Sequence, residues 1–220
     1  MQKNDLQKYK AFLFDLNGTM VHDMPYHVNA WHKVVQTLGS TMPIEAMKQE
    51  CYGKGEEMLE RIFPGSYSLA ERIAISEDKE STYRKEFLPD LRLIDGLDQL
   101  LEKANLLNIK MGIGSAANNL NIDFVLDNLN IRKYMQAIIS GEMVTKSKPH
   151  PETFLSCAAQ LKIPADCCLV FEDTPKGVDC AASAGMNAVV LTTTHPIADF
   201  ESFTNIIHFT NDYQELANLL

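Results

Sequence analysis

Residues 11–19, AFLFDLNGT, begin with four apolar residues and end in a carboxylate, an amide, a glycine and a hydroxyl. The apolar run lacks the alternation of a half-solvated strand, so it reads as a strand covered on both faces, as in a parallel sheet. Taken alone, Asp15 ahead of Gly18 is as readily a turn residue as a chemical group. What surrounds this stretch decides between the two.

Counting AFLFDL (11–16), six runs have this character; the others are IKMGIG (109–114), AIIS (137–140), CCLVFE (167–172), AVVLTT (188–193) and IIHF (206–209). Helical periodicity fills the gaps: Leu97, Leu100, Leu101 and Ala104 share a face, as do Ile122, Val125, Leu126 and Leu129, then Phe154, Leu155, Ala158 and Leu161. Strands alternating with amphipathic helices build right-handed βαβ units on a mostly parallel sheet, so the expected fold class is α/β. One interval breaks the alternation. Between about residues 23 and 89 no strand is expected. His27, Trp31, Val34, Val35 and Leu38 form one helical face, Met58, Leu59, Ile62 and Phe63 another, and AERIAISEDKESTYRKEF (70–87) reads as a long polar helix. The domains are therefore expected to be a core of residues 1–22 and 90–220, with residues 23–89 inserted after the first strand.

The bulk properties narrow the partners. With 220 residues the chain can bury a full core. Its net charge of −9 and the lack of a Lys/Arg run argue against nucleic acid or an anionic membrane surface. A small anion stays open, because local cations or a metal override the global sign. The opening MQKNDLQKYK is polar, without the apolar segment of a signal peptide, and no apolar stretch approaches a membrane span. Cys51, Cys157, Cys167, Cys168 and Cys180 are odd in number and lack CxxC spacing, which reads as buried free thiols in a reducing compartment, with Cys167 and Cys168 on opposite faces of a strand. A cytoplasmic protein is expected, monomeric by default because no long exposed apolar stripe stands out.

Ligands of open parallel sheets bind beyond the carboxyl ends of the strands. The first strand ends in Asp15 and Asn17, then Gly18 and Thr19; the second ends in Gly114-Ser115; the fourth ends in Glu172-Asp173; and Lys148 lies in KSKPHPETF (146–154), ahead of the fourth. Each has an ordinary reading. Asp173-Thr174-Pro175 reads as a helix cap with proline at the first turn, Ser115 as a cap, and Lys148 as an exposed lysine. Convergence at one end of one sheet favours a site for a hard cation and a phosphate, and oxygen donors of this kind suit Mg²⁺.

FDLNGT (14–19), GIGSAANN (112–119), SKPHPETF (147–154) and LVFEDTPKGVDCAASAGM (169–186) resemble, in order, the four motifs of the haloacid dehalogenase superfamily. The 23–89 insertion is similar to that superfamily's helical cap, and MPYHVNAWHKV (24–34) resembles the β-phosphoglucomutase-like and sugar-phosphatase branch. The resemblance implies a Rossmann-like core and a Mg²⁺-dependent phosphatase acting on a small phosphorylated metabolite, with a cap that closes through hinges near Val21–Pro25 and Phe87–Arg92. Asp15 would be the nucleophile and a Mg²⁺ ligand, joined by the Asn17 carbonyl, Glu172 and Asp173. Ser115 would bond the transferring phosphoryl group, with Gly18, Thr19, Ala116 and Asn119 around it, and Lys148 would neutralise charge. In the cap, His27 and Lys79 match substrate-side residues of the branch, although read alone His27 is a packing residue near Trp31 and Lys79 a solvated helix charge.

Two positions depart from the pattern. The family's phosphatases and mutases usually carry an aspartate, the general acid and base, where Asn17 stands. An amide cannot exchange that proton, a loss of about 10²–10⁴-fold. Four explanations are open: proton transfer by His22, Asp23 or His27; a substrate with a good leaving group; an aspartate deliberately replaced to trap a complex; or a chain turned phosphate-ligand binder. A dehalogenase is disfavoured by the Glu172-Asp173 pair. The second departure is GKGEEML (53–59), which offers Glu56 where mutases place an arginine for the non-reacting phosphate, with Lys54 as the substitute cation. A phosphatase is thus favoured over a mutase.

Overall fold

The computed structural model describes residues 5–220; the first four residues of the polar N-terminal stretch lie outside it. The chain forms two compact units, one ending at His22 and resuming over Arg92–Leu220, the other spanning Asp23–Leu91. The return comes at Arg92 rather than residue 90 because Leu88–Asp90 form a 3-10 turn running on from the last helix of the second unit.

The first unit is an α/β core. Its six strands are β1 (Ala11–Phe14), β2 (Lys110–Gly114), β3 (Ala137–Ile139), β4 (Cys168–Glu172), β5 (Asn187–Leu191) and β6 (Ile206–Thr210). All pair in parallel in the order β3-β2-β1-β4-β5-β6. The order reverses beside β1, so the crevice between the ends of β1 and β4 is the topological switch point, where such sheets bind ligands. β1, β3 and β5 stop a residue or two short of their apolar runs, because the last residues of those runs turn into the loops at this edge.

Alternation along the strands sorts two layers. Ala11 and Leu13, Cys168 and Val170, and Ala188 and Val190 share one core with Phe154, Cys157, Val178 and Ala181, from α7 (Glu152–Leu161) and α8 (Pro175–Ser183). On the other parity Phe12 and Phe14 pack against Phe171, with ring centroids 5.3 and 4.7 Å away, and Tyr213 lies 6.4 Å from Phe14. The helices α5 (Leu97–Leu106), α6 (Asn119–Asn128) and α9 (Gln214–Leu219) complete the unit. Three expectations need correction. β6 is half-buried along its length, because as an edge strand it has β5 alone as neighbour. Cys167 lies in a 3-10 turn, so it does not alternate with Cys168 on a strand. On α7 the buried face takes Cys157 in place of Leu155, which is 41% exposed.

The second unit is helical: α1 (Met24–Thr37), α2 (Ile44–Glu50), α3 (Gly55–Ile62) and α4 (Leu69–Phe87). Val28, Trp31, Val35, Met47, Met58 and Leu59 form its core. Gly55 lets α3 approach: a Cβ there would stand 2.2 Å from Ser76 Oγ and 2.8 Å from the Trp31 ring. Ser68 and Glu71 form a capping box that starts α4. That helix is polar, yet Lys79, Tyr83 and Phe87 recur at four-residue spacing and are buried. No helix among the described residues is long and apolar enough to cross a membrane.

Candidate active site

The site of the first unit is built at the ends of β1 and β4. The ladder continues one step past β1, where the Asp15 N–H donates to Phe171 O at 3.0 Å, and this sets Asp15 level with Glu172. Lys148 Nζ lies 2.6 Å from Asp15 Oδ1 and 2.7 Å from Glu172 Oε1, so one ammonium joins the two strand ends. Burial works against the charge on Lys148, but the Asp15 and Glu172 carboxylates outweigh it and hold the group above the ordinary lysine range. The ordinary reading of Lys148 as an exposed lysine is thereby replaced.

Glu172 is held tightly. Its Oε2 accepts from Asp173 N–H at 2.8 Å, Thr174 N–H at 2.9 Å and the Thr174 hydroxyl at 3.0 Å. With Lys148 on Oε1, this uses about the four sites a carboxylate offers. Glu172, expected among the metal ligands, bonds Lys148 and the turn into α8. Thr174, not Asp173, caps α8, accepting from Gly177 N–H at 3.0 Å, with Pro175 opening the helix. Gly177 makes room for all this: a Cβ there would stand 1.8 Å from Glu172 Cδ. Gly177→Ala is therefore expected to cost about 1–3 kcal/mol and lower Tm by roughly 2–12 °C, together with activity; an unchanged melt would contradict this packing.

Asp173 is 1% exposed, and a hydroxyl sits on each of its oxygens: Thr19 on Oδ1 at 3.0 Å and Thr194 on Oδ2 at 2.5 Å. Burial, then the charges of Glu172 and Asp15, push its carboxyl well above the usual range, while the two hydroxyls work the other way. The loop from β1 folds against it. Gly18 takes φ +74°, a left-handed conformation that favours glycine, and a Cβ there would meet Asp173 Oδ2 at 2.3 Å. Gly18 N–H donates to Val21 O at 2.9 Å; since the peptide is trans, the Asn17 carbonyl points the opposite way from that bond. Thr193 Oγ1 donates to Gly18 O at 2.5 Å and the buried Tyr213 hydroxyl to Thr19 O at 2.9 Å, so the loop's peptides are pinned in series.

Past β2, Ser115 is 1% exposed and is not a helix cap; Asn118 caps α6, accepting from Asn121 N–H at 2.9 Å. Ser115 Oγ accepts from Ala117 N–H at 3.1 Å, a bond that does not use its hydroxyl hydrogen. Gly141 lies against Ala116, where a Cβ would be 2.3 Å from Ala116 O. Asn119 is exposed, and both its N–H and its side-chain amide are given to Glu142.

The remaining expected residues, His22 apart, belong to the second unit and are described within it. Lys79 is 1% exposed, not solvated: its Nζ lies 2.6 Å from His27 Nδ1, 2.8 Å from Glu80 Oε1 and 4.8 Å from the centre of the Trp31 ring. Burial draws its pKa below the ordinary lysine range, with Glu80 opposing. His27 stacks on Tyr83, whose hydroxyl donates to the buried Asp23 at 2.5 Å, and His22 is exposed. Lys54 is the N-cap residue before α3, its N–H held by Glu57 at 3.2 Å.

Asp15 and Glu172 share a single ammonium, Lys148, which leaves negative charge in excess of positive in a buried place. Among the described residues no three acidic, His or Cys side chains are grouped as a ready ligand set. Mg²⁺ does not require one, being typically held by one or two carboxylates with waters and substrate phosphate. Asp15, Asp173 and the Asn17 carbonyl fit that demand.

A doubly wound parallel sheet with an inserted helical cap, and a carboxylate, lysine and hydroxyl at its switch point, define a hydrolase of phosphate esters. The chain belongs to the haloacid dehalogenase-like hydrolase family, which matches residues 12–191. It is 33% identical over 191 residues to the β-phosphoglucomutase of Bacillus subtilis, covering 82% of each chain. It is 27% identical over 183 residues to the fructose-1-phosphate phosphatase of Escherichia coli, covering 83% of this chain and 96% of that protein. The crystal structure of a family IA haloacid dehalogenase hydrolase from Entamoeba histolytica superposes with a TM-score of 0.85 at 24% identity, covering 96% of this chain and 98% of that one.

Sequence reasoning missed Thr174, Gly177, Thr193, Thr194 and Tyr213. The signal for two of them was present: TTTH (192–195) closes the fifth apolar run at the same edge of the sheet.

Proposed function

We propose that this chain is a Mg²⁺-dependent phosphatase of a small phosphorylated metabolite, in the class of sugar phosphates, acting through a phosphoryl group carried on Asp15. The observation that carries the reading is Lys148 bridging Asp15 and Glu172 at the switch point of the sheet. A carboxylate oxygen of Asp15 attacks phosphorus, the bond from phosphorus to the substrate oxygen breaks, and the leaving oxygen takes a proton from water. Water then attacks the aspartyl phosphate, releasing inorganic phosphate and restoring Asp15. Lys148 offsets negative charge at Asp15 throughout, Glu172 keeps it there, and Ser115 donates its hydroxyl hydrogen to a phosphoryl oxygen. Mg²⁺, held by Asp15, Asp173 and the Asn17 carbonyl, would supply the remaining positive charge that lets one anion approach another. In the helical unit, His27 and Lys79 are the proposed substrate-side groups.

The relatives include both a mutase and a phosphatase, and the helical unit favours the second reading. A mutase must grip a second phosphate. Arg61 is spent on Glu50 and on the carbonyls of Glu50 and Tyr52, Arg72 pairs with Glu60, and Glu56 and Glu57 occupy the first turn of α3. The acyl- and pyrophosphate class stays within the same mechanism, since its leaving groups need no acid.

The test is phosphate release from a panel of hexose phosphates, acyl phosphates and pyrophosphate, with Mg²⁺ and after chelation. Chelation is expected to lower the rate by at least about 10²-fold, the several kcal/mol that a Lewis acid contributes. Glucose 6-phosphate formed from β-glucose 1-phosphate with a bisphosphate activator would replace this reading with the mutase. Tight phosphate-ligand binding without turnover of any ester would replace it with a binder.

A further inference from the structure

The end of β5 reaches the proposed metal donors from a side that catalysis does not explain. Past Leu191, Thr193 donates to Gly18 O, and Thr194 Oγ1 lies 2.5 Å from Asp173 Oδ2 and 2.9 Å from Asp173 O. His195 Nδ1 is 3.0 Å from Thr194 Oγ1. A hydroxyl has one hydrogen to give. With its own hydrogen on Nδ1, His195 donates to Thr194, which leaves the Thr194 hydrogen directed at Asp173. The methyl group of the same threonine rests against Gly18, 3.0 Å from where a Cβ would stand, and so touches the segment that carries the Asn17 carbonyl. One side chain thus bonds one proposed donor, Asp173, by its hydroxyl and lies by its methyl against Gly18, the residue that follows another, Asn17.

We propose that Thr194 is a positioning residue for Mg²⁺: its hydroxyl fixes the rotamer of Asp173 so that the carboxylate and the Asn17 carbonyl face the same cation. The inference rests on the Mg²⁺ reading above. Metal ligands are oriented by hydrogen bonds from outside the ligand set, and loss of such a partner typically weakens metal binding by about 10–100-fold. Thr193 and Tyr213 do the same for the β1 loop, but each holds a backbone carbonyl that belongs to no proposed ligand. Thr194 alone among the three acts on a ligand's own side chain.

The experiment is calorimetric titration of the purified chain with Mg²⁺ alone, beside Thr194→Val and Thr194→Ser. Valine keeps the methyl contact and removes the hydroxyl; serine does the reverse. The valine variant is expected to bind Mg²⁺ about 10–100-fold more weakly, to regain most of its kcat at saturating Mg²⁺, and to melt within about 5 °C of the parent without metal. The serine variant is expected to bind within about threefold of the parent, since it retains the orienting hydrogen bond. A parent that takes up no Mg²⁺ overturns both this inference and the reading beneath it. A parent that binds while the valine variant binds equally well overturns this inference alone, as does a valine variant that fails to fold, which would make the hydroxyl a structural tie.

Discussion

Asp15→Ala is expected to lower phosphate release by about 10⁴–10⁶-fold at saturating substrate, the scale on which removal of a covalent nucleophile acts. At about 1.36 kcal/mol per decade this is roughly 5–8 kcal/mol of barrier, more than any other single change in this site should cost. The fold should survive. Asp15 is one of two buried carboxylates that share one ammonium, and Glu172, 2.7 Å from Lys148, is left as its partner when Asp15 is gone. Breaking a buried pair destabilises when it strands a charge, and here no charge is stranded. One source of repulsion on Asp173 is removed as well, after burial and Glu172. The metal-free variant is therefore expected to melt no more than about 5 °C below the parent, and above it if repulsion dominates. A steady-state assay and a thermal melt on the same preparation check both halves. Residual turnover within about tenfold of the parent would remove Asp15 from the mechanism, and a collapsed melt would mean that its role is structural.

The division of labour among the three carboxylates follows from their hydrogen bonds. Glu172 is saturated by Lys148 and the turn into α8, and Gly177 is bare so that it can be. Asp173 takes one hydroxyl on each oxygen, from Thr19 and Thr194, which leaves lone pairs for a ligand. Asp15 carries the lysine. Neighbouring acids in one motif, Glu172 and Asp173, thus differ in what they hold: Glu172 binds Lys148 and the turn into α8, and Asp173 accepts from two threonine hydroxyls.

Much of this was legible in the residues, for identifiable reasons. Strands covered on both faces leave unbroken apolar runs, and the rule that ligands bind at strand ends then selects Asp15, Ser115, Glu172 and Asp173 without coordinates. The rule was applied to three ends and not to the fifth, where Thr193 and Thr194 stand. Threonine is a common strand residue, so TTT reads as more strand. Its placement beside Asp173 depends on β5 pairing with β4, a tertiary fact. Lys79 was misjudged for a related cause. A polar helix reads as solvated, yet Trp31, Tyr83 and His27 enclose this one lysine, and no local pattern marks it. Leu155 and Cys157 exchanged places because a helical face is wide enough to admit either, and packing against Ile113 selected the thiol, 3.0 Å from the Ile113 carbonyl.

The second large effect concerns Asn17. Asn17→Asp is expected to accelerate hydrolysis of hexose phosphates by about 10²–10⁴-fold, restoring a group able to hand the leaving oxygen its proton. For aryl and acyl phosphates, whose leaving groups depart as stable anions, the gain should stay below about tenfold, because protonation contributes little to their barrier. The contrast between substrates is the diagnostic quantity, since a change in folding or metal binding would move all of them together. Within the helical unit Asp23 accepts the Tyr83 hydroxyl and His27 is bonded to Lys79. The variant should also carry a cost. A further carboxylate two residues from Asp15 adds negative charge to an already acidic loop, so its metal-free form should melt below the parent and recover more of that loss when Mg²⁺ is added. Equal acceleration across leaving groups would refute the missing-acid account of Asn17. No acceleration of any substrate would mean that the chain is adapted to esters that leave unaided, and the natural substrate should then be sought among acyl phosphates and pyrophosphates.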